Sequence, residues 1–174
     1  TANANKEYDS RPLSTESATA DRLAAGHTLR AVAGKIASVT DYTANATGNN
    51  NTEFDVLDSS GTTVSANYSI TYIFGTLAVT RRTIVITNAS DSKVYNGDPL
   101  GNGGFTQNGK LVSGHEILRV NALDEITEAG EKPNAGEFAI YASGANVTNN
   151  YAITTVKGTL TVTKRPVTIK SRDK

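Results

Sequence analysis

Two stretches of the chain run almost alike: NYSITYIFGTLAVTRRTIVI at 67–86 and NYAITTVKGTLTVTKRPVTI at 150–169. No other feature narrows the possible folds as much, because a long internal repeat means one small fold used twice. Tyr68 answers to Tyr151, Gly75 to Gly158 and Arg82 to Arg165, each pair about 83 positions apart. Upstream, KEYDSRPL (6–13) resembles KVYNGDPL (93–100), and AAGHTLRAV (24–32) resembles VSGHEILRV (112–120). SVTD (38–41) then matches EITE (125–128), and Phe54 matches Phe138. The landmarks keep their order while their spacing drifts, most around 45–53. That is where a loop absorbs a change of length that a packed element would not.

The repeat predicts two tandem modules of about 80 residues, 1–82 and 83–165. The ending KRPVTIKSRDK copies the start of a module, RRTIVITNASDSK, so 166–174 reads as the beginning of a third repeat. The first module lacks that opening strand. The chain is therefore expected to be a piece of a longer array, in which each unit touches its neighbours. No Pro/Gly-rich linker separates the modules, which predicts an elongated, semi-rigid rod.

Within each module the pattern is that of strands. Tyr68, Ile70, Tyr72 and Phe74 alternate with Ser69, Thr71 and Ile73, and Leu77 and Val79 alternate with Thr76, Ala78 and Thr80. Tyr151, Ile153, Leu160 and Val162 repeat the pattern. Such alternation predicts half-buried strands, and the glycine between the runs suits a hairpin turn. TIVI (83–86) and PVTI (166–169) read as opening strands, EFDVL (53–57) and EFAIYA (137–142) as further ones, and 27–34 and 115–122 as weaker candidates. The segment 14–26 has helical features, with a Ser/Thr cap, early acids and a closing Gly. Its counterpart at 101–114 is too rich in glycine to follow it. The expected class is mainly β, with at most a helical turn or two in the first copy. The alternative is α+β, as β-grasp-like modules with one short helix each.

Composition excludes several functions. Seventeen basic and seventeen acidic residues cancel, leaving no electrostatic footprint for nucleic acid. No apolar run reaches the roughly 18 residues of a membrane span, so no membrane insertion is expected in this fragment. Cysteine is absent, which removes disulfides and thiolate metal sites.

No catalytic constellation stands out, and the chain is not expected to be an enzyme or to carry a cofactor. His27 and His115 are the only histidines, one per module at equivalent positions. That supplies no two-His metal site within a module, and each reads as a turn residue whose ring caps nearby backbone. The neighbouring carboxylates Asp124 and Glu125, and Glu128 and Glu131, read as solvated charge. NNNTEFDVLD (49–58) offers oxygen ligands but lacks the calcium-loop pattern. Lys6, Lys93, Lys110 and Lys157 offer amines for a Lys–Asn isopeptide bond, with no partner identifiable from sequence. The tyrosines that open the alternating faces read as core, ring inward and hydroxyl at the edge. Tyr42 and Tyr141 have no clear counterpart in the other module, which makes them the candidate ligand-binding aromatics.

KVYNGDPL, KLVSGHE, NAGEFAI and NNYAITTVKGTLTVTKRPVTI together resemble the MBG/YDG type of repeat found in large bacterial surface proteins and adhesins. The likeness covers both modules and is most specific in the terminal N-Y…G-T-L-x-V-T-K/R run. Two positions depart from it: His27 and His115 stand where the family has Asp, and EYDSRP stands where it prefers Gly. The resemblance implies an extracellular, non-enzymatic, β-rich unit at the bacterial cell surface, cell-wall attached or secreted. Its expected role is a monomeric stalk that projects a distal binding region and contacts the neighbouring repeats of its own chain. The alternative is an adhesion module that itself binds host glycan, mucin or protein.

Overall fold

The computed structural model describes residues 2–48 and 52–172. The chain is mainly β and divides into two compact units, Thr1–Arg82 and Thr83–Lys174.

In the first unit the strands are β1 (Ala4–Glu7), β2 (Leu13–Ser14), β3 (Thr28–Ala31), β4 (Ser38–Val39), β5 (Thr47–Gly48), β6 (Phe54–Leu57) and β7 (Thr76–Thr80). A three-stranded sheet has the order β1-β7-β5, and β2-β4 and β3-β6 form two-stranded pairs. β1 runs parallel to β7, from Ala4 opposite Leu77 to Glu7 opposite Thr80. Parallel neighbours cannot be joined by a tight turn, and here the rest of the unit is the crossover. Leu77 and Val79 are fully buried, as their alternation predicts, beside buried Tyr8, Phe54 and Val56.

The second unit holds β8 (Arg82–Asn88), β9 (Asp91–Val94), β10 (Leu100–Gly101), β11 (Phe105–Asn108), β12 (His115–Arg119) and β13 (Glu125–Ile126). It continues with β14 (Gly130–Asn134), β15 (Phe138–Ala142), β16 (Ala145–Asn146), β17 (Tyr151–Val156) and β18 (Gly158–Thr163). β9 is parallel to β18, in the sheet β14-β18-β9. β10-β13 and β12-β15-β16 follow, and a further sheet has the order β11-β8-β17. Leu160 and Val162 are buried and cluster with Leu100, Tyr95 and Ile126. Ile84 and Ile86, on the inner face of β8, are 0% exposed.

Three sequence expectations need correction. The run 68–74 forms no strand although its alternation is clear; only β7 follows it. The same holds for PVTI at 166–169, whose residues find no strand to pair with. An isolated extended segment has no internal hydrogen bonds and needs a partner, so pattern alone does not make it a strand. Nor does Gly158 turn a hairpin: β17 pairs with β8, and β18 pairs with β14 and β9. The chain changes sheets there instead. The mainly β expectation holds against the α+β alternative: no α-helix occurs among the described residues, only short 3-10 turns at Ser65–Asn67 and Thr148–Asn150. The helical features of 14–26 lose to tertiary pairing. Ser14 lies in β2, Ala2 donates its N–H to the Ser17 carbonyl, and Arg22 and Gly26 adopt positive φ.

Three surface carboxylates brace loops. Asp9 has its pKa lowered from 3.8 chiefly by the hydrogen bond from Lys6, Asp58 by the Ser60 hydroxyl, and Asp124 by the Ala135 backbone N–H. A carboxylate with a depressed folded pKa stabilises the fold above its unfolded value and ceases to as pH falls through the folded value. The urea midpoint is thus expected to hold steady from neutral pH down to about 5 and to decline below 3.8. Asp124→Asn should flatten part of that decline in a pH series of denaturation curves. An unchanged acid limb in the variant would refute Asp124's share.

Candidate functional site

One constellation recurs in both units, and it is built around the two histidines. In the first unit the chain turns so that the His27 N–H donates to the Ala24 carbonyl at 3.0 Å. The Tyr68 hydroxyl completes the turn. It accepts the Ala24 N–H at 3.1 Å and meets His27 Nδ1 at 2.8 Å. In the second unit the His115 N–H donates to the Val112 carbonyl at 3.1 Å. The Tyr151 hydroxyl accepts the Val112 N–H at 3.2 Å and meets His115 Nδ1 at 2.7 Å. The two ring pairs match in geometry, each edge-to-face with centroids 5.9 Å apart at 63°.

A tyrosine hydroxyl has one proton to give and lone pairs to accept with. With the backbone N–H donating to it, its own proton is free to go to Nδ1. This arrangement satisfies a turn N–H, fixes the ring and pins the turn to the segment that carries the tyrosine. Each histidine ring thus reaches the turn backbone through the tyrosine hydroxyl. Sequence reasoning placed both residue types but not their meeting. The available signal was their joint recurrence at equivalent positions in the two halves.

Removing the hydroxyl leaves the turn N–H without its acceptor, which costs about 1–3 kcal/mol when the group is buried. Tyr151 is buried and Tyr68 only half-buried. Tyr151→Phe is therefore expected to destabilise the second unit more than Tyr68→Phe destabilises the first, in chemical denaturation followed by unit-specific amide exchange. Equal or negligible losses would contradict the role given to the hydroxyls.

A second recurring device closes the turn after the unit's first parallel strand. Lys6 donates to the Asp9 carboxylate and the Arg11 carbonyl. Lys93 donates to Asn96 Oδ1 at 2.7 Å and to the carbonyls of Asp98 and Pro99. Both ammonium groups, carried on β1 and β9, donate into the turn that follows their strand. Tyr8 and Tyr95, between the lysine and the turn, each donate backbone N–H to the last strand, to Thr80 and Thr163 carbonyls at 2.9 and 2.8 Å.

The remaining candidates have separate partners within their own units. Tyr42 is half-buried with the Arg81 guanidinium 4.2 Å above its ring. Tyr141, also half-buried, lies on β15 opposite Glu116 and Asn146. They belong to different units. Of the calcium candidate 49–58, residues 49–51 lie outside the described residues. In the rest, Glu53 pairs with Lys35 and Asp55 with Arg30, while Asp58 accepts from its own loop, so the acids do not converge. Among the described residues no three His, Cys, Asp or Glu side chains come together as a metal site. Asp124 receives the Ala135 N–H at 2.8 Å and pairs with Lys132, which gives that carboxylate a structural partner.

Sequence reasoning missed two buried asparagines. Asn88 ends β8, donating to the Val156 carbonyl and accepting the Gly136 N–H, both at 2.9 Å. Asn134 ends β14 and donates to the carbonyls of Ala89 and Asn102, both at 2.8 Å. Nothing in the local pattern distinguishes them from the many surface asparagines. Comparison of the chain with protein-family models, curated proteins and solved structures finds no match.

Proposed function

We propose that this chain is a pair of tandem structural repeats from a bacterial cell-surface protein, serving as a stalk that holds a binding region away from the cell. The observation that carries the reading is the use to which the recurring residues are put. The Tyr68 and Tyr151 hydroxyls, Nδ1 of His27 and His115, and the Lys6 and Lys93 ammonium groups all engage turns of their own unit. Residues repeated for catalysis or recognition would instead leave such atoms facing outward. The MBG/YDG-like run at 150–165 supports the same reading, as does the short connection from β7 to β8, which leaves a single residue between the two strands.

On this proposal, small-angle scattering gives a rod about two units long, and arrays of glycans and mucins stay blank. Saturable binding to mucin that Tyr141→Ala abolishes would replace the stalk by the adhesion module. Arg81 covers one face of Tyr42, which leaves Tyr141 as the residue to test first.

A further inference from the structure

The turn after the first parallel strand is built alike in both units, but one residue in it differs in a way that bears on chemistry. KEYDSRPL and KVYNGDPL place Asp9 against Asn96, Ser10 against Gly97 and Arg11 against Asp98. Lys6 donates to Asp9 Oδ1 and to the Arg11 carbonyl, and the Arg11 N–H donates to the same Oδ1 at 2.9 Å. Lys93 donates to Asn96 Oδ1 at 2.7 Å and to the Asp98 carbonyl, and the Asp98 N–H donates to that Oδ1 at 3.2 Å. Ser10 and Gly97 both have positive φ, 63° and 90°. An asparagine in the second unit thus occupies the place of an aspartate in the first, with the same donors on its oxygen.

An asparagine followed by glycine is open to attack on its Cγ by the next backbone nitrogen, because glycine has no Cβ to keep the two apart. The chain has three such pairs, Asn96–Gly97, Asn102–Gly103 and Asn108–Gly109. Their surroundings differ. Asn96 and Gly97 are exposed. Attack turns Oδ1 into an oxyanion, and the Lys93 ammonium and the Asp98 N–H already stand on that atom. The leaving nitrogen, Nδ2, donates to Asp98 Oδ2 at 2.9 Å. Asn102 Oδ1 receives the Gly104 N–H at 2.8 Å and, among the described residues, no cation. Asn108 is held in β11 opposite Val85, and Gly109 lies so close to β8 that a Cβ there would be 2.6 Å from the Thr83 carbonyl oxygen.

We propose that Asn96 is a self-modification site, converted to aspartate or isoaspartate by attack of the Gly97 nitrogen, with Lys93 stabilising the oxyanion. The Gly97 nitrogen gives its proton to hydroxide and bonds to Asn96 Cγ. The tetrahedral oxyanion collapses, the Cγ–Nδ2 bond breaks, and ammonia leaves with a proton taken from water, which returns the hydroxide. One water then opens the cyclic imide. Opening at Cγ gives aspartate, and opening at the Asn96 main-chain carbonyl gives isoaspartate. The net change is one carboxamide and one water to one carboxylate and ammonia. The aspartate product meets Lys93 as Asp9 meets Lys6, and a chain of zero formal charge becomes an anion. A stalk and an adhesion module would be modified in the same way.

Peptide mapping by mass spectrometry, during incubation of the full chain in mildly alkaline buffer, tests it with all three asparagines read in the same molecule. Asn96 is expected to convert first in the folded chain and to lose its lead in urea, where the turn is gone. Lys93→Met should lower the Asn96 rate about tenfold relative to Asn102 and Asn108, less than a buried oxyanion donor contributes, because water screens the site. The ratio stays readable if the variant loosens the unit, since loosening acts on all three sites. Gly97→Ser, which installs the first unit's residue, should all but stop conversion at Asn96 alone. The proposal fails if Asn102 or Asn108 converts as fast as Asn96 in the folded chain, if the lead persists in urea, or if Lys93→Met leaves the ratio unchanged. A loss of ammonia that survives alkali would mark a Lys93–Asn96 amide and overturn it as well.

Discussion

Gly158→Ala is expected to unfold the second unit, or to cost it about 3 kcal/mol or more at the upper end of overpacking effects. An alanine Cβ there would lie 2.2 Å from the Ala89 carbonyl oxygen, 2.6 Å from its carbon and 2.7 Å from the Asn88 oxygen. These are backbone atoms next to β8, which is held between β11 and β17, so no flexible side chain can yield. The requirement is for space and not for an unusual dihedral, because Gly158 is not among the glycines with positive φ. The chain crosses here from one sheet to another, and the two sheets approach backbone to backbone only if this residue has no side chain. Thermal denaturation with amide-exchange readout should show Ile84, Ile86 and Leu160 losing protection while Leu77 and Val79 keep it. A variant with native protection in β18 would show that the approach is looser than described.

Asn134→Ala should have an effect of similar size by a different route. The Asn134 side chain is fully buried, and its amide donates to two carbonyls that are 45 and 32 residues away in sequence. Truncation leaves both oxygens unserved, at about 1–3 kcal/mol for each buried group. Asn134→Asp should be worse near neutral pH, since a carboxylate would face two carbonyl oxygens, and should recover in part as acid protonates it. Urea denaturation at neutral and acidic pH separates the cases. If the Asp variant matches the Ala variant at both, the amide is not bridging the two carbonyls.

These two sites differ in how far the sequence announced them. Gly158 and Gly75 stood out as recurring residues, yet the local pattern suggested a hairpin, because a glycine between two alternating runs has that meaning when the runs are neighbours. The neighbours turned out to be strands from elsewhere in the chain. Asn134 gave no signal at all, since its value lies in reaching Ala89 and Asn102, and spacing along the chain does not encode that reach. Tyr151 and His115 fall between these cases. Each was marked by recurrence, and only folding brought the hydroxyl to the ring nitrogen.

The side-chain period settles which residues of a strand share a face, and it did so for Leu77 and Val79 and for Leu160 and Val162, all buried. It also settled that β-structure prevails over helix, because the glycines of 101–114 rule out in one copy what 14–26 suggests in the other. Partnership was decided in three dimensions. Ile84 and Ile86 are buried in a sheet while Val167 and Ile169, spelled almost the same, lie open. A strand is stabilised by hydrogen bonds and packing from segments distant in sequence, so a closely similar run forms a strand where a neighbour stands beside it and no strand where none does.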